Sequence, residues 1–475
     1  MQLNPTQFFH ASDPSRTLTF SNPADRRYYI DFSAVRGGSI IRRLERVITR
    51  AEPDKPTCQL FTGHIGCGKS TELRRLQAEL ENQGFHVVYF ESTEDLDMAN
   101  VDISDILLAI ARQISRNLEA LDIQIQSSRF RRFLQGAWEV IQDVLHPDIT
   151  GLSLQAPEVE VPLLGVKPAK DIGFSVKEGE YSLSFGIGEL TGRVRNDAGM
   201  RSLLRQYLEP RVNQMLEVIN GELLEPAHKK LQQMGKQGLV VIVDNLDRVD
   251  NRQKEGSKRT LPEYLFVDRG DQLRQLQCHV IYTILLNLAF SNEFELLKNR
   301  LGDVKRLPMI PIQRQDGSDF AEGMGLLKQM VLARAFPDVS EEARLQGIDQ
   351  LFDQPAMLER LCQISGGHSR NLLRILRRCL EEDDPPITQD CLERAIREHR
   401  DDLSLAITDD EWALIQQVTQ QQKVSGEDGH HTLLRSLFVF EYDDPTEGRW
   451  FAVNPALRET KKFRSIQSSK HQTIP

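Results

Sequence analysis

The feature that most restricts the fold of this chain is a glycine-rich octapeptide at residues 63–70. The apolar stretch 57–62 in front of it predicts a β-strand, and the segment 69–83 behind it has the spacing of an α-helix. A strand, a glycine loop and a helix in this order are typical of a phosphate-binding loop. Further strands alternate with helices downstream, so the sequence predicts an α/β fold with a parallel sheet. The octapeptide matches the pattern GxxxxGK[ST] at every fixed position and reads Gly63-His64-Ile65-Gly66-Cys67-Gly68-Lys69-Ser70.

The chemistry of this loop predicts ATP with Mg²⁺ as the ligand, bound by residues 63–71. Backbone N–H groups of the glycines can approach phosphate oxygens, and the start of the following helix adds its positive dipole end. We expect Lys69 to contact the β- and γ-phosphates, Ser70 to offer its hydroxyl to Mg²⁺, and Thr71 to complete the segment. GTP is disfavoured because the sequence contains no guanine-reading NKxD tetrapeptide. The alternative is a glycine turn that arose by chance.

An acidic residue at the end of the most apolar strand predicts the metal partner of the loop. The strand runs from Leu239 to Val243, and Asp244 follows it directly. Its carboxylate should emerge at the carboxyl edge of the sheet, where the phosphates are expected. We therefore expect Asp244 to hold Mg²⁺ together with Ser70. The alternative is a structural aspartate that caps a turn.

The sequence leaves the catalytic base open. Many P-loop hydrolases place an acidic residue after this aspartate, whereas Asn245 occupies the position here. An amide can orient a water molecule but cannot take its proton, so either another carboxylate is the base or turnover is slow. Asp247 is one candidate, and an ion pair with Arg248 is its alternative role. Glu91 and Glu94, after the preceding strand, are further candidates.

Four stretches of the sequence carry a family resemblance. They are GHIGCGKST at 63–71, VVIVDNLDRV at 240–249, HVIYTILLNL at 279–288 and SGGHSRNLLRIL at 365–376. Together they resemble the P-loop ATPases of the additional-strand group, which includes the AAA+, STAND and KAP-like families. The second stretch is similar to the signature of KAP-like ATPases, and the fourth looks like the sensor-2 segment of origin-recognition-type AAA+ proteins. The resemblance implies a P-loop NTPase core and covers approximately residues 30–400.

The same resemblance implies further site residues. Thr283 or Asn287 would be the sensor on the strand beside Asp244, and Arg370 would be the sensor-2 arginine near the γ-phosphate. Arg300 or Arg306 would be an arginine finger that reaches the nucleotide of a neighbouring subunit, so hydrolysis would depend on a nucleotide-dependent homo-oligomer. Without the resemblance, Thr283 is a buried strand threonine, Arg370 a helix-entry residue, and the two finger candidates surface arginines.

We divide the chain into five parts. Within the core, prolines, glycines and the alternating string YSLSFGIG predict a β-rich insertion at about 148–197. In the N-terminal segment, residues 29–32 (Tyr-Ile-Asp-Phe) would contact the adenine, as the resemblance implies. The parts are an N-terminal segment at 1–37, an ATPase core at 38–312, a helical lid at 313–402, a winged-helix-like domain at 403–460 and a basic tail at 461–475.

Composition limits the kinds of partner and the cellular compartment that are expected for the protein. The 475 residues carry a formal net charge of -10, which argues against a chain that coats nucleic acid by bulk electrostatics. No cysteine pair has CxxC spacing and most of the six cysteines lie in apolar runs, so we expect reduced, buried thiols. No signal pattern and no membrane-spanning apolar stretch are visible, so we expect a cytoplasmic protein without a membrane partner.

Three functions remain open at this point. The first is an ATP-binding and ATP-hydrolysing AAA+/STAND-like switch that controls assembly with an unknown protein partner. The second is a DNA-associated ATPase that resembles origin-recognition or transposition regulators and uses its C-terminal winged helix. The acidic hairpin near the C-terminus, with Glu441, Asp443, Asp444 and Glu447, would repel phosphates. The third is a small-molecule kinase, which the chain length and the lid-like helices disfavour.

Overall fold

A parallel five-stranded sheet forms the centre of the core, as the sequence predicts. The computed structural model describes residues 2–52, 55–125, 127–145, 182–195, 197–444 and 446–471. The strands pair in the order β2-β3-β4-β1-β5, with every pair parallel. The loop after β1 and the acidic end of β3 therefore lie at the same sheet edge, with β4 between them. The strands are β1 (Cys58–Gly63), β2 (His86–Glu91), β3 (Leu239–Asp244), β4 (His279–Thr283) and β5 (Val304–Leu307).

The side chains of β3 alternate between two hydrophobic cores, because successive residues of a strand point to opposite faces. Val241 and Val243 lie in the larger core, and Val240 and Ile242 lie in the other. All six residues of β3 are buried. The near-continuous apolar run that identified this strand thus reflects a sheet covered on both faces.

The N-terminal segment is folded onto the rest of the protein. Phe8 is completely buried and belongs to the hydrophobic core of the helices at 321–405. Arg36, near the end of the segment, donates from Nη2 to the backbone carbonyl of Cys67 at 2.8 Å. The first helices are α1 (Pro5–Ala11), α2 (Pro23–Arg26) and α3 (Ile40–Thr49).

The core helices cover both faces of the sheet. Asp102 caps one of them and forms a capping box with Asp105. A π-helical turn, Ile219–Leu224, joins two others. The core helices are α4 (Lys69–Asn82), α5 (Ser92–Asp95), α6 (Ile103–Glu119), α7 (Ser128–Leu145), α8 (Leu183–Arg195), α9 (Ala198–Leu208), α10 (Val212–Val218), α11 (Glu225–Gln233), α12 (Leu261–Glu263), α13 (Gly270–Arg274) and α14 (Phe294–Leu301).

The prediction of a β-rich insertion is wrong for its C-terminal part. Helix α8 occupies Leu183–Arg195, where the string YSLSFGIG suggested short strands. The alternation is misleading because Phe185 is 63% exposed, while Leu183, Ile187 and Leu190 are buried at helical spacing. This apolar face packs against α6. Residues 148–181, on which the rest of that prediction falls, lie outside the described residues.

The segment beyond the sheet is helical, as predicted for the lid. Its helices share one hydrophobic core, to which Leu358, Leu376 and Ile396 contribute. The lid helices are α15 (Ala321–Ala335), α16 (Glu341–Arg344), α17 (Ala356–Ser365), α18 (Ser369–Glu382) and α19 (Gln389–Leu405).

The C-terminal part contains two helices followed by an antiparallel hairpin, which is the element order expected from the sequence. The basic segment after residue 460 is itself a helix and not an extended tail, because Phe463 is buried against this part of the chain. The elements are α20 (Asp409–Gln421), α21 (Asp428–Arg435), β6 (Val439–Asp444), β7 (Gly448–Val453), α22 (Pro455–Arg458) and α23 (Lys461–His471).

All six cysteines are free thiols, and five of them are buried. In the described ranges, no helix combines the length and the apolar character needed to cross a lipid bilayer.

Candidate functional site

The P-loop is a tight turn that only glycine permits at two positions. Gly66 has a φ of 86° and Gly68 a φ of 102°, a region of backbone conformation that side chains disfavour. A Cβ atom on Gly66 would also lie 2.8 Å from Cε1 of His368 and 2.9 Å from Cβ of Arg370. The lid therefore presses directly on the loop, and the glycine serves both the turn and this contact.

Lys69 is folded back into the loop and buried. Its Nζ donates to the carbonyls of Gly63 and His64 at 2.9 Å each, and it pairs with Asp247 Oδ2 at 2.8 Å. Burial opposes the positive charge, but the neighbouring groups, with Asp247 foremost and Asp244 among them, together outweigh it, and the pKa of Lys69 is raised overall. The ammonium group is thus held charged at the base of the loop, where phosphate oxygens are expected.

Asp247 forms its ion pair with Lys69 and not with Arg248, which the sequence analysis gave as its alternative partner. Its carboxylate pairs with Lys69, and the side chains of both residues are 5% exposed. A carboxylate that is committed to a buried lysine is poorly placed to take a proton from water. Asp247 instead acts as the counter-ion of Lys69 in this conformation.

Asp244 ends β3 as predicted, and its carboxylate is completely buried. Oδ2 accepts from the hydroxyl of Tyr89 at 2.6 Å, and Oδ1 accepts from the backbone N–H of Asn245 at 2.7 Å. An ionised carboxylate has about four lone-pair sites, so these bonds orient it and leave capacity for a further ligand. A carboxylate held in this way fits the hard oxygen ligands that Mg²⁺ takes.

Asn245 and Glu91 form a pair at the same sheet edge. Asn245 has a φ of 65°, which turns its side chain toward β2, and its Nδ2 donates to Glu91 Oε2 at 2.8 Å. Glu91 is in register with Asp244 at the ends of β2 and β3. The side chain of Glu91 is partly exposed. The structure thus brings a solvent-accessible carboxylate next to the amide that stands where an acid was expected.

The two sensor candidates differ in their contacts. Thr283 is completely buried, and its Oγ1 accepts from the backbone N–H of Leu246 at 3.0 Å and donates to the carbonyl of Val243 at 3.3 Å. These bonds hold the turn that carries Asn245 and Asp247. Asn287 donates from Nδ2 to Asn251 Oδ1 at 3.1 Å. In the structure Thr283 therefore supports the site through the backbone.

A single cleft collects the P-loop, the turn after β3, the N-terminal segment and the lid. Its apolar lining includes Tyr29, Ile30 and Phe32, three of the four residues that the resemblance assigns to the adenine, together with Met330 and Leu373. The basic lining exceeds the acidic lining, since Glu72 and Asp247 are the acids among the described residues that line the cleft. The basic residues are Arg16, Arg36, Lys69, Arg248, Arg334 and Arg370.

Two buried arginines of the cleft, Arg36 and Arg334, were not recognised from the sequence. Arg334 is 7% exposed, and burial lowers its pKa to about 10, with Arg16 acting in the same direction. Burial likewise lowers the pKa of Arg36. Burial is the largest effect on both groups, although the carboxylate of Glu72 partly offsets it at Arg36. A buried cation that is not fully neutralised is costly, so these side chains favour an anionic ligand in the cleft. Neither arginine belongs to a motif. They lie on segments that are about 300 residues apart in the sequence and meet only in the folded cleft, so no local sequence pattern could identify them.

Arg370 lies at the start of α18, against the P-loop. Its backbone N–H donates to the carbonyl of Gly66 at 3.2 Å, and its side chain lines the cleft. Burial lowers its pKa, and the nearby positive charges of Arg248 and Arg374 act in the same direction. The structure therefore places the arginine implied by the resemblance at the loop.

The C-terminal hairpin also contacts the P-loop. The backbone N–H of Glu441 donates to His64 Nε2 at 2.9 Å, and the hydroxyl of Tyr442 donates to the carbonyl of Gly366 at 2.7 Å. The ring of Phe440 stacks on His368 at a centroid distance of 5.7 Å and meets His64 edge-on at 5.8 Å. The loop, the lid and the hairpin thus form one buried junction.

His368 joins the lid to the loop through both ring nitrogens. Nε2 lies 2.8 Å from the carbonyl of Ile65, and Nδ1 accepts from the backbone N–H of Asn371 at 3.0 Å. Nε2 is therefore the donor, which fixes the neutral tautomer. His64 accepts through Nε2 in the same way. Protonation of either acceptor nitrogen would break a hydrogen bond of the junction.

Acidification is expected to weaken this junction. Burial lowers the pKa of both His64 and His368 to about 3, from an ordinary value of 6.5. The unfolded chain takes up these protons near pH 6.5, whereas the folded chain does not do so until the pH approaches 3. The free energy of unfolding should therefore fall as the pH drops below 6.5, by about 1.4 kcal/mol per pH unit for each histidine.

Denaturant unfolding of the native chain and of His368→Asn at pH 7.5 and 5.5 checks this expectation. Asparagine is a strong helix cap whose Oδ1 can accept from Asn371, and it does not titrate. The variant should lose about 1 kcal/mol less than the native chain between the two pH values. An equal loss in both proteins would contradict the assignment to His368.

The two arginine-finger candidates are engaged inside the chain. Arg300 donates from Nη1 to the carbonyls of Val267 and Asp268, the latter at 2.7 Å. The guanidinium of Arg306 lies over the rings of Phe290 and Phe294, with distances to the ring centroids of 5.6 and 5.2 Å. The structure therefore does not bring either side chain to the P-loop of its own chain.

Part of the chain matches the model of one protein family, and the solved structures that align with the chain are distant in sequence. Residues 38–255 match the model of the KAP family P-loop domain. A search of curated proteins finds no match. Cdc6p from Pyrobaculum aerophilum is 11% identical to this chain and superposes with a TM-score of 0.36. The alignment covers 94% of this chain and 98% of Cdc6p.

The Aeropyrum pernix ORC1 protein, solved in complex with DNA, is 15% identical, covers 90% of this chain and 93% of its own, and has a TM-score of 0.34. TM-scores of this size are too low for these structures to inform the function of the chain.

Proposed function

We propose that this chain uses the P-loop domain that it shares with the KAP family to bind ATP with Mg²⁺ and hydrolyse it. The cycle would act as a switch that controls assembly with another protein. The observation that carries this proposal is the convergence of the P-loop, the turn after β3 and Arg370 of the lid on one cleft with a basic excess. Nucleoside triphosphates are the class of ligand that such a cleft accommodates.

ATP binding would exchange one ion pair for another. Lys69 gives up Asp247 and the two loop carbonyls to reach the β- and γ-phosphates. The apolar lining from Tyr29 to Phe32 would hold the adenine. Because Arg370 lines the same cleft from the lid, the phosphates would link the core to the lid by charge.

Magnesium would be held by Ser70 and Asp244 together with phosphate oxygens. The oriented carboxylate of Asp244 and the hydroxyl of Ser70 are hard oxygen donors that fit this ion. When bound, Mg²⁺ would neutralise the negative charge that develops on the phosphate oxygens during transfer.

Glu91 is the carboxylate best placed to act as general base. Asp244 is buried and assigned to Mg²⁺, whereas Glu91 is oriented by Asn245 and is partly exposed. Asp247, which is paired with Lys69 in the present conformation, is the second candidate once Lys69 has moved to the phosphates. In the reaction a water oxygen bonds to the γ-phosphorus as the bond to the bridging oxygen breaks. Glu91 takes the proton of the water and later passes it to the phosphate or to solvent, so the products are ADP and inorganic phosphate.

The switch role rests on the shared junction at the P-loop. His368 of the lid and Glu441 of the hairpin both bond to the loop, through Ile65 and His64. A change in the loop on phosphate binding or release would therefore act on both elements at once. Their movement would expose surfaces that are buried in the present conformation, and such surfaces suit a protein partner.

The DNA-associated alternative has less support from the geometry. The hairpin is packed on the ATPase core through Phe440, Glu441 and Tyr442, and so is not free to enter a groove of DNA. Glu441, counted in the sequence as a repelling surface charge, is 1% exposed and pairs with Arg449 at 2.7 Å. Retention of the chain on duplex DNA that falls with rising salt would revive this alternative.

Steady-state ATP hydrolysis by the native chain tests the proposal. We expect magnesium-dependent release of phosphate from ATP, and equilibrium binding of ATP in the presence of EDTA at lower affinity. Asp244→Ala should remove the magnesium dependence together with most of the turnover. Absence of ATP binding would overturn the proposal, whereas tight binding without turnover would leave a switch that is set by binding alone.

A further inference from the structure

We propose that Arg435 of the C-terminal helix α21 binds the terminal phosphate of the nucleotide, so that the chain supplies its own arginine finger. This inference rests on the proposed function, because it concerns the γ-phosphate of the same nucleotide. It concerns a residue that neither the loop motif nor the family resemblance points to. The observations that carry it are a second groove behind the P-loop and the side chains that line it.

The groove adjoins the cleft. Ile65, Asp247 and Arg248 line both cavities, so the groove and the cleft meet at these three residues. The rest of the groove is lined by the start of the P-loop, by residues 285–287 after β4, and by Leu434 and Arg435. A terminal phosphate held by the loop and by Lys69 would lie at this junction of the cleft and the groove, since it is beyond the β-phosphate on the side of the turn after β3.

Arg435 is available for a ligand. Its side chain is exposed, and within the described part of the chain it has no ion pair or hydrogen bond. Arg300 and Arg306, by contrast, are held by carbonyls and aromatic rings away from the loop. The guanidinium fork matches the oxygens of a phosphate and stays charged at neutral pH.

A second polar group in the groove lacks a partner. Asn287 is 8% exposed, and its Oδ1 accepts no hydrogen bond from the described residues, although Nδ2 is bonded to Asn251. A buried acceptor without a donor is costly, and a water molecule at the terminal phosphate would satisfy it. The groove thus offers donors from Arg248 and Arg435 and an acceptor from Asn287.

The hairpin junction fixes the position of Arg435 over the groove. Helix α21 packs against residues 286–290, which follow β4, and the hairpin after it bonds to His64 and Gly366. Release of the hairpin would therefore withdraw Arg435 from the nucleotide. Hydrolysis would then be possible only while the C-terminal part is docked, so the rate of ATP turnover would depend directly on the conformation of the switch.

The test compares Arg435→Gln with the native chain. Turnover should fall by about 10²–10³-fold, as when one preorganised donor to a developing charge is removed. Affinity for the non-hydrolysable β,γ-imido analogue of ATP should fall about tenfold, and affinity for ADP should stay unchanged, because only the terminal phosphate is contacted. Lys461→Gln, on the exposed start of α23, is the charge-matched control and should behave as the native chain.

A mixing experiment separates an arginine supplied within the chain from one supplied by a neighbour. Arg435→Gln mixed with Lys69→Ala should remain inactive, and native turnover should rise linearly with protein concentration. Restored activity in the mixture would overturn the assignment within one chain, and unchanged turnover in Arg435→Gln would overturn the role of Arg435. If the native chain binds ATP without turnover, the proposed hydrolysis fails, and equal affinities of both proteins for the analogue would then reject Arg435 as well.

Discussion

Replacing Lys69 with alanine is expected to abolish ATP turnover and to destabilise the protein at the same time. Turnover is lost because no other group in the loop can neutralise the β- and γ-phosphates. Stability is lost because Asp247, 5% exposed, would be left as a buried charge without its partner. Removing one member of a buried ion pair costs about 3–5 kcal/mol. Phosphate release and denaturant unfolding measure the two effects.

The double variant Lys69→Ala with Asp247→Asn separates these effects. Neutralising the orphaned carboxylate should recover much of the lost stability, whereas turnover should stay absent. A double variant as unstable as Lys69→Ala would show that the bonds of Lys69 to Gly63 and His64 hold the loop, and not its pair with Asp247. Recovery of turnover would contradict the assignment of Lys69 to the phosphates.

Replacing Glu91 with glutamine is expected to lower the turnover number by about 10²–10⁴-fold with nucleotide affinity unchanged, as for the loss of a general base. Glutamine has nearly the same shape, and its Oε1 can still accept from Nδ2 of Asn245, so the sheet edge should keep its geometry. Single-turnover kinetics and nucleotide titration measure the two quantities separately. An unaltered turnover number would show that another group takes the proton of the water.

Two further variants sharpen this test. Glu94 is exposed and lies three residues beyond Glu91, so Glu94→Gln is a matched control that should not change turnover. The double variant Glu91→Asn, Asn245→Asp places the carboxylate at residue 245 and the amide at residue 91, which reverses the two ends of this hydrogen bond. Aspartate tolerates the positive φ of residue 245, so this exchange should be more active than Glu91→Gln.

The sequence was sufficient for the local elements of the core. The strand before the loop, the helix after it and the buried strand that ends at Asp244 all follow from short-range patterns, and the structure confirms them. The string at 181–188 failed because its alternation and its helical spacing share Leu183 and Ile187. Packing against α6 decided between the two, and such a contact cannot be read from an isolated segment.

The contacts of the site were beyond sequence reasoning for a related reason. The pair of Lys69 with Asp247 and the pair of Asn245 with Glu91 each join residues more than 150 positions apart. They depend on the strand order of the sheet, which the alternation of strands and helices leaves open. Arg435 was overlooked because it belongs to a part of the chain that the sequence assigned to a separate domain.

The composition of the cleft has a consequence for synthesis of the protein. One part of its lining comes from residues 14–36, and another part comes from residues 330–373, which leave the ribosome much later. Strand β1, which leads into the P-loop, pairs with β4 on one side and β5 on the other, so it lacks both partners until residues 279–307 have been made. The cleft therefore becomes able to hold a nucleotide only when most of the chain has been translated, so ATP can stabilise the finished fold but cannot guide its early steps.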